Sequence, residues 1–301
     1  MEQINQTLIE YLREEETYAE LPASSNDNQN IFSPTDDVST NVYSLPKNIT
    51  IIGGQGRMGK LFTNQLSTAG HQVNALGRDW QNADTLLGEA DLVLISVPIE
   101  TTVDIIKRAA KYLNPNAALA DITSLKAEPV QAMLESHSGA VMGLHPMFGP
   151  NVESFAGQKI VVCSGRNDEP FQWLLDLMQT RGGELIYCTS EEHDRMMVMI
   201  QATRHFCRLT QGVFIAQEEL DIDRSLSMST PGYRNEIEIV KRLFKQSPEL
   251  CVDIMLATEE RCQAISSLAD TYNKLANLVV NKDREALIEE FATAQSFWIG
   301  G

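Results

Sequence analysis

Residues 49–59 read ITIIGGQGRMG, a short apolar run that passes directly into a glycine-rich turn. Three glycines have the spacing G-x-G-x-x-G, and an apolar helical pattern follows them. Such a turn bends tightly and lets the backbone approach a pyrophosphate, which the free N–H groups at the helix start attract. A purely structural glycine turn is the alternative. The predicted cofactor-binding residues of this turn are Gly54, Gly56, Arg57, Met58 and Gly59.

Apolar runs alternate with helical patterns from this turn onward. The predicted strands cover residues 49–53, 72–76, 92–97, 117–121, 141–144, 159–163 and 184–187. The helical patterns between them cover residues 58–69, 101–113, 126–136 and 169–181. This alternation is typical of a mostly parallel sheet with helices on both faces. We therefore expect a Rossmann-type α/β domain over residues 47–188.

No strand pattern follows residue 189. A helical pattern with Ser190 as its predicted N-cap extends to about residue 219. Further helical patterns cover residues 224–229, 231–246, 248–276 (as one helix or two) and 283–298. We expect an all-α domain over residues 189–301 that follows the α/β domain.

Residues 1–46 are acidic and polar, and we expect a flexible extension without catalytic duty, with a short helix in residues 1–21. Nine acidic residues against Arg13 and Lys47 give residues 1–47 a net charge of −7, within −17 for the chain. That charge argues against nucleic acid or an anionic membrane as a partner. The chain lacks a membrane-length apolar run and a signal-peptide pattern at its start, so we expect a cytoplasmic protein.

The five cysteines are odd in number and form no CxxC pair. This usage predicts reduced thiols in a cytosolic protein, and neither a disulfide framework nor a metal site.

One histidine lies in a chain segment that two prolines hold rigid. Residues 143–150 read GLHPMFGP and follow an apolar strand pattern. Because a following proline disfavours helix, His145 is predicted to be extended at the strand end. An imidazole titrates near neutral pH, which makes His145 a candidate acid or base. A structural histidine bonded to a loop carbonyl is an equally good interpretation of this segment alone.

Other polar groups follow neighbouring strands. Ligands of an open α/β sheet bind outside the carboxyl ends of its strands. Ser96 and Pro98 follow the third strand, and Ser124 and Lys126 follow the fourth. We expect Ser124 and Lys126 to share a crevice with His145, although Ser124 as a helix cap is an equal alternative.

The end of the second strand bears on the choice of cofactor. An acidic residue there would bind the ribose 2′-hydroxyl of NAD. Here Leu76 is followed by Gly77 and Arg78, which leave room and a cation for a 2′-phosphate. The sequence thus slightly favours NADP over NAD. Alternatively, Asp79 reaches the ribose or Arg78 stacks on adenine.

The helical part contributes His193, His205, Arg234 and Arg242. The two arginines are eight residues apart, about 80° around an ideal helix, so both could border one cleft. Arginine is suited to bidentate capture of carboxylates. Surface ion pairs with neighbouring glutamates are the more common role for such residues.

Seven segments together resemble the prephenate dehydrogenase family, specifically the dehydrogenase half of the bifunctional chorismate mutase/prephenate dehydrogenase T-proteins. They read GGQGRMG, SVPIETT, DITSLK, GLHPMFGP, EEHD, QATRHF and PGYRNEIEIVKRLF, and the similarity extends from Lys47 to Trp298. The resemblance implies oxidative decarboxylation of prephenate by NAD(P)+ to 4-hydroxyphenylpyruvate, a step of tyrosine biosynthesis.

The resemblance also implies roles for the candidate residues. His145 would be the base at the C4 hydroxyl of prephenate, with Ser124 assisting. Arg242 would hold the ring carboxylate. Arg234 and Lys126 would order the pocket.

The helical domain contributes two further groups in this comparison. His205 and His193 would lie near the substrate side chain or a site for tyrosine as an inhibitor. By the same resemblance, the helical domain would bind substrate and form a homodimer.

Several departures and alternatives accompany the resemblance. Residues 1–46 lack the length and the basic residues of the mutase domain, so we expect no mutase activity. Gly77 stands where an acidic residue would indicate NAD, and the chain ends soon after Trp298, which bears on the dimer and on inhibition by tyrosine. Alternatively, the protein is an arogenate dehydrogenase, or a paralogue dedicated to a specialised aromatic product. A non-catalytic ligand sensor on a Rossmann fold is a remote alternative.

Overall fold

Alternate residues of the buried strands contribute to two separate apolar cores, one on each face of a sheet. In the computed structural model, which describes residues 45–299, Leu92 and Leu94 pack into one core, while Val93 and Ile95 pack into the other. The strands are β1 (Asn48–Ile52), β2 (Gln72–Leu76), β3 (Leu92–Ile95), β4 (Ala118–Asp121), β5 (Val141–Pro146), β6 (Lys159–Arg166) and β7 (Glu184–Tyr187). The predicted extension, with its short acidic helix, lies outside the described residues apart from residues 45 and 46.

The strand order is β2-β1-β3-β4-β5-β6-β7, and every pair is parallel except the antiparallel pair β5–β6. The predicted Rossmann-type, mostly parallel sheet is therefore confirmed. The chain leaves β1 toward β2 on one side and returns to β3 on the other, which opens a crevice at the carboxyl ends of β1 and β3. His145 lies inside β5, opposite Val161 of β6, so this strand extends beyond its predicted end.

Within residues 45–299, five α-helices cover the sheet. They are α1 (Arg57–Thr68), α2 (Ala83–Gly88), α3 (Thr102–Ala109), α4 (Ala127–Ser136) and α5 (Gln172–Thr180). The short α2 has no counterpart among the predicted helices. Phe62 and Leu66 of α1 are fully buried against β1, which fixes the start of α1 beside the glycine turn.

The described residues beyond β7 are helical, as predicted. They form α6 (Ser190–Met197), a π-helical turn (Val198–Thr203), α7 (Arg204–Gln217), α8 (Ile222–Ser227), α9 (Pro231–Phe244), α10 (Pro248–Leu256), α11 (Glu259–Val280) and α12 (Arg284–Ile299). Thr189, not Ser190, caps α6, because Thr189 is extended and its hydroxyl accepts a hydrogen bond from Glu192 N. A second cap, Thr258, separates α10 from α11.

The last two helices expose many large apolar side chains. Phe291, Phe297 and Trp298 of α12 are each at least 70 % exposed, and Val280 of α11 is 77 % exposed. Large apolar side chains exposed in this number are common on surfaces that bind another protein. None of the helices between residues 45 and 299 has the run of apolar residues that a bilayer crossing requires.

We expect Gly59→Ala to destabilise the fold and to weaken dinucleotide binding together. A Cβ at residue 59 would lie 2.3 Å from Gly53 O and 2.6 Å from Gly54 Cα, so the turn backbone itself must move. Overpacking of this kind costs about 1–3 kcal/mol. Thermal unfolding and a cofactor titration measure both effects.

Gly232→Ala is the control. A Cβ there meets only Thr230 Oγ1 at 3.9 Å, so its thermal midpoint should be unchanged or higher. A Gly59→Ala protein with normal stability and cofactor affinity would contradict the role of the turn.

Candidate active site

The glycine turn follows β1 at the crevice and is suited to a pyrophosphate. Gly53 has φ +85°, and a Cβ there would lie 2.1 Å from Ser96 O, so the turn packs directly on the segment after β3. Gly56 precedes α1 with an extended backbone and no side-chain cap, and the first turn of α1 contains no acidic residue. The N–H groups that begin α1, including those of Arg57 and Met58, are therefore available to an anion.

At the end of β2, a glycine and an arginine occupy the place of an acidic residue. The nearest atoms to a Cβ at Gly77 belong to the flexible Gln55 side chain, at 3.4 Å. Arg78 is exposed. Asp79 Oδ1 accepts a hydrogen bond from Gln81 N at 3.0 Å, so this carboxylate caps a local turn. The arrangement leaves space and positive charge where the adenosine ribose would lie.

The segment after β3 lies against the glycine turn. Ser96 is half-buried, and its backbone N donates to Ile52 O at 2.8 Å. Pro98 O accepts from the hydroxyl of Thr102 at 2.9 Å, which fixes the start of α3. Ser96 and Pro98 thus line the crevice in which we predicted them to contact the cofactor.

A fully buried ion pair lies beneath the site. Lys126 Nζ donates to Asp121 Oδ2, and both side chains have no exposed surface. Thr123 donates to the same carboxylate oxygen through its hydroxyl at 2.6 Å and its N–H at 2.9 Å. Lys126 is therefore part of the floor of the site. Ser124 is half-buried and does not cap α4, since that helix end is capped from another element.

The cap of α4 comes from the helical half of the molecule. Asp194 of α6 accepts the N–H of Lys126 through Oδ1 and the N–H of Ala127 through Oδ2, each at 2.9 Å. A carboxylate at a helix N-terminus interacts favourably with the helix dipole. Asp194 therefore joins α6 to the end of the sheet that carries the candidate site.

The same carboxylate begins a chain of hydrogen bonds that ends at His145. His193 Nδ1 lies 2.7 Å from Asp194 Oδ1, and His193 Nε2 lies 2.7 Å from His145 Nδ1. An ionised carboxylate only accepts, so His193 carries its proton on Nδ1 and presents a lone pair at Nε2. His145 must then donate from Nδ1. Its Nε2 is left unprotonated and presents a lone pair, which is the state of a general base.

The surroundings keep these imidazoles neutral. Burial lowers the pKa of His145 well below its ordinary value, and His193 and the nearby cation Lys126 lower it further. Burial also lowers the pKa of His193, although Asp194 opposes that shift. Burial opposes ionisation of Asp194, yet its hydrogen bonds from His193, Ala127 and Lys126 bring its pKa below the usual value.

The π-helical turn and α7 complete the buried cluster. Gln201 Nε2 lies 3.3 Å from His145 Nε2, and Gln201 O lies 2.6 Å from His205 Nδ1. Arg261 of α11 is fully buried and donates to Ser124 O at 3.3 Å and to Ile254 O at 2.7 Å. The cluster is thus held from both halves of the molecule.

Arginines on α7 place positive charge beside His205, and two further arginines lie on α9. Arg204 and Arg208 share one face of α7, and their charges contribute, after burial, to the lowered pKa of His205. Burial lowers the pKa of Arg208, and the charges of Arg204 and of Arg242 on α9 lower it further. Arg234 is exposed, and its guanidinium donates to Ser229 O at 3.1 Å in the loop before α9. Arg242 is also exposed on α9, and Arg234 is tied to its own loop.

Two family models match this chain in succession. The one described as "Prephenate dehydrogenase, nucleotide-binding domain" matches residues 63–187, and the one described as "Prephenate dehydrogenase, dimerization domain" matches residues 189–293. The T-protein of Haemophilus influenzae is 40% identical over 253 residues, which are 84% of this chain and 67% of that protein. The chain belongs to the prephenate dehydrogenase family.

Solved structures of this family share the fold. A prephenate dehydrogenase from Aquifex aeolicus, in complex with hydroxyphenyl propionate and NAD+, superposes with a TM-score of 0.66 at 19% identity, over 86% of this chain and 99% of that one. A Synechocystis arogenate dehydrogenase gives a TM-score of 0.60 at 18% identity, over 82% of this chain and 97% of that one. The family resemblance drawn from the sequence is confirmed.

Sequence reasoning assigned no role to Asp194, Gln201 or Arg261 in this family member. Asp194 adjoins His193 in the sequence, and Gln201 lies four residues before His205. Their only sequence signal was this closeness to candidate histidines. Arg261 carried a different signal, because a cation in the first turn of a helix opposes the helix dipole. A residue in such an unfavourable place needs a tertiary partner, which the carbonyl of Ser124 supplies.

We expect Asp194→Asn to lower the free energy of unfolding at pH 7 by about 1–3 kcal/mol, because a neutral amide caps α4 and pairs with His193 less well. The folded-state pKa of Asp194 lies below its unfolded value. Its stabilising contribution is therefore complete above the unfolded pKa and is lost as the pH falls through the folded one. The difference between wild type and variant should shrink below about pH 4, as denaturant unfolding at a series of pH values measures.

Asp270→Asn, which changes an exposed carboxylate on α11, is the control and should change the free energy of unfolding by less than about 0.5 kcal/mol at pH 7. If the difference in free energy of unfolding between wild type and Asp194→Asn grew as the pH fell, Asp194 would not be an ionised cap of α4.

Proposed function

We propose that this chain catalyses the oxidative decarboxylation of prephenate by NAD(P)+, a step of tyrosine biosynthesis. The observation that carries the proposal is the unprotonated Nε2 of His145, a state that Asp194 sets through His193. The base lies in β5, and the glycine turn opens at the same edge of the sheet. Base and cofactor turn together supply what the oxidation of a ring alcohol requires.

The glycine turn fits a nicotinamide dinucleotide. Gly54 and Gly59 leave no room for a side chain, and the start of α1 offers its N–H groups to the phosphates. When bound, NAD(P)+ supplies the hydride acceptor. Ser96 and Pro98 would line the same crevice.

The protein's own task is to move one proton and to orient two carboxylates. The C4 hydroxyl of prephenate would give its proton to His145 Nε2 while C4 loses its hydride. The ring carboxylate leaves as CO2, and the electron pair of the broken C–C bond restores the aromatic ring and places negative charge on the C4 oxygen. His145 then returns its proton to that oxygen. Its depressed pKa favours this return.

The substrate carboxylates need cations in an acidic protein. We propose that Arg242 holds the ring carboxylate, with its charge reinforced by the neighbouring α7 arginines. Lys126 orders the floor of the pocket through its buried pair with Asp121. Arg234 orders the loop before α9, and Ser124 assists at the hydroxyl.

For the cofactor, we propose a modest preference for NADP over NAD. Gly77 removes the carboxylate that would repel a 2′-phosphate, and exposed Arg78 offers a cation to it. Asp79 is engaged in its local turn.

We further propose two domains, residues 47–188 and 189–301, and a homodimer through the helical one. Exposed apolar side chains on α11 and α12 support that interface. The five cysteines are all free thiols, which suits the cytoplasm. Tyrosine, as the end product, is proposed to bind near His193 and His205.

A two-by-two assay of prephenate and arogenate with NAD and NADP tests the proposed function. We expect the highest kcat/KM with prephenate and NADP. Arg78→Ala should lower kcat/KM with NADP by about 10-fold and leave that with NAD nearly unchanged, because only the 2′-phosphate loses a partner. A preference for arogenate would replace the substrate assignment, and no turnover in any of the four combinations would refute the function.

His145→Asn should lower kcat by about 10²–10⁴-fold, because the proton acceptor is lost, while cofactor affinity stays within about 3-fold. Steady-state kinetics and cofactor titration measure the two quantities.

Arg242→Ala provides the contrast. The loss of a charged hydrogen-bond partner should raise KM for prephenate by about 10- to 100-fold, with a smaller effect on kcat. Near-normal kcat in His145→Asn would remove His145 as the base, and an unchanged KM in Arg242→Ala would remove Arg242 from the carboxylate site.

A further inference from the structure

The amide of Gln201 lies within hydrogen-bond distance of the unprotonated nitrogen of the base. Gln201 is 8 % exposed, and its Nε2 lies 3.3 Å from His145 Nε2. Its Oε1 is buried and has no hydrogen-bond partner among residues 45–299. A buried carbonyl oxygen without a partner is costly in a folded protein, so its position calls for an explanation.

The hydrogen-bond chain explains why the amide faces this way. Asp194 fixes His193, and His193 fixes His145, so that His145 Nε2 presents a lone pair. Turning the amide by 180° would place the oxygen of Gln201 against that lone pair, which is an unfavourable contact of two acceptors. The N–H side must therefore face His145, and Oε1 is left without a partner as the consequence.

The amide nitrogen stands where the reacting hydroxyl has to arrive. His145 Nε2 has one lone pair, and in the free protein the amide N–H occupies it. A substrate hydroxyl can give its proton to His145 only when Gln201 releases that lone pair. The hydroxyl oxygen then lies beside the amide N–H, within the reach of a small side-chain rotation.

We propose that Gln201 donates a hydrogen bond to the C4 oxygen of the substrate and stabilises the negative charge that forms there. This inference rests on the proposed function, in which decarboxylation delivers an electron pair to that oxygen. A fixed donor aimed at developing charge in a water-poor site is an effective form of transition-state stabilisation. Gln201 adds this donor to the roles assigned to His145 and Ser124.

The backbone holds Gln201 in place for this role. Its carbonyl accepts from His205 Nδ1 at 2.6 Å, and the residue lies in the π-helical turn between α6 and α7. Such π insertions are uncommon and occur frequently at functional sites. The wider π-helical turn changes the direction of the side chains within and after it. Gln201 and His205 are both buried in the cluster.

Gln201→Leu and the isosteric Gln201→Glu test the proposal. Both should lower kcat with prephenate by about 100-fold while KM stays within about 3-fold, because the donor acts as charge develops. Both should also move the acid limb of kcat/KM to higher pH. The amide N–H stabilises neutral His145 in the free enzyme, and its loss raises the pKa of that base, more so beside the carboxylate of Gln201→Glu.

Gln65→Leu is the matched control, since Gln65 is 5 % exposed and its amide bonds to Glu153 O and to Arg181. Gln65→Leu should lower the midpoint of thermal unfolding without moving the acid limb of the pH profile of kcat/KM. If Gln201→Leu does not fold, Gln201→Glu alone decides, because it keeps the shape of the side chain.

The outcomes separate this inference from the function on which it rests. Wild type without turnover of prephenate overturns both. Active wild type with Gln201→Glu within about 3-fold of its kcat, or with an unmoved acid limb, overturns the role of Gln201 and leaves the proposed function standing. A large loss of kcat together with a shifted limb supports the donor.

Discussion

The carboxylate of Asp194 is the interaction on which the rest of the site depends. It caps α4 through two backbone N–H groups 67 and 68 residues away in the sequence, and it accepts from His193. The cap attaches the helical half to the carboxyl edge of the sheet. The hydrogen bond from His193 determines where the protons of two imidazoles reside. One side chain thus couples the assembly of the two halves to the chemical state of the base.

The buried charges around this carboxylate act on the base as well as on the fold. Lys126 pairs with Asp121, and Arg261 bonds to carbonyl groups, so each cation has partners within a protein of net charge −17. Both cations disfavour a charged His145. A neutral imidazole can take a proton and return it readily, which a reaction without net proton release requires. The acidity of the chain as a whole therefore says little about the potential inside the site.

The sequence predicted the parts of the site whose signals are local. Glycine spacing predicted the turn after β1, and two prolines that follow His145 indicated an extended histidine as a candidate, because both signals lie within a few residues. Asp194 and Gln201 lie close to candidate histidines in the sequence, but their contacts with α4 and with His145 span 56 to 68 residues, and no local pattern encodes such contacts. The cap of α6 was misplaced by one residue because Thr189 and Ser190 both carry hydroxyls, and backbone conformation alone decides between them. The antiparallel β5–β6 pair was likewise hidden, since strand patterns carry no direction.

The most direct measurement of this account is the protonation of the His145 ring in the free protein. Correlation of imidazole protons with ring nitrogens by NMR, with His145→Asn used for assignment, identifies the tautomer at neutral pH. We expect a proton on Nδ1 of both His145 and His193, and no proton on His145 Nε2. A His145 ring protonated at Nε2, or one that carries both protons at pH 7, would contradict it.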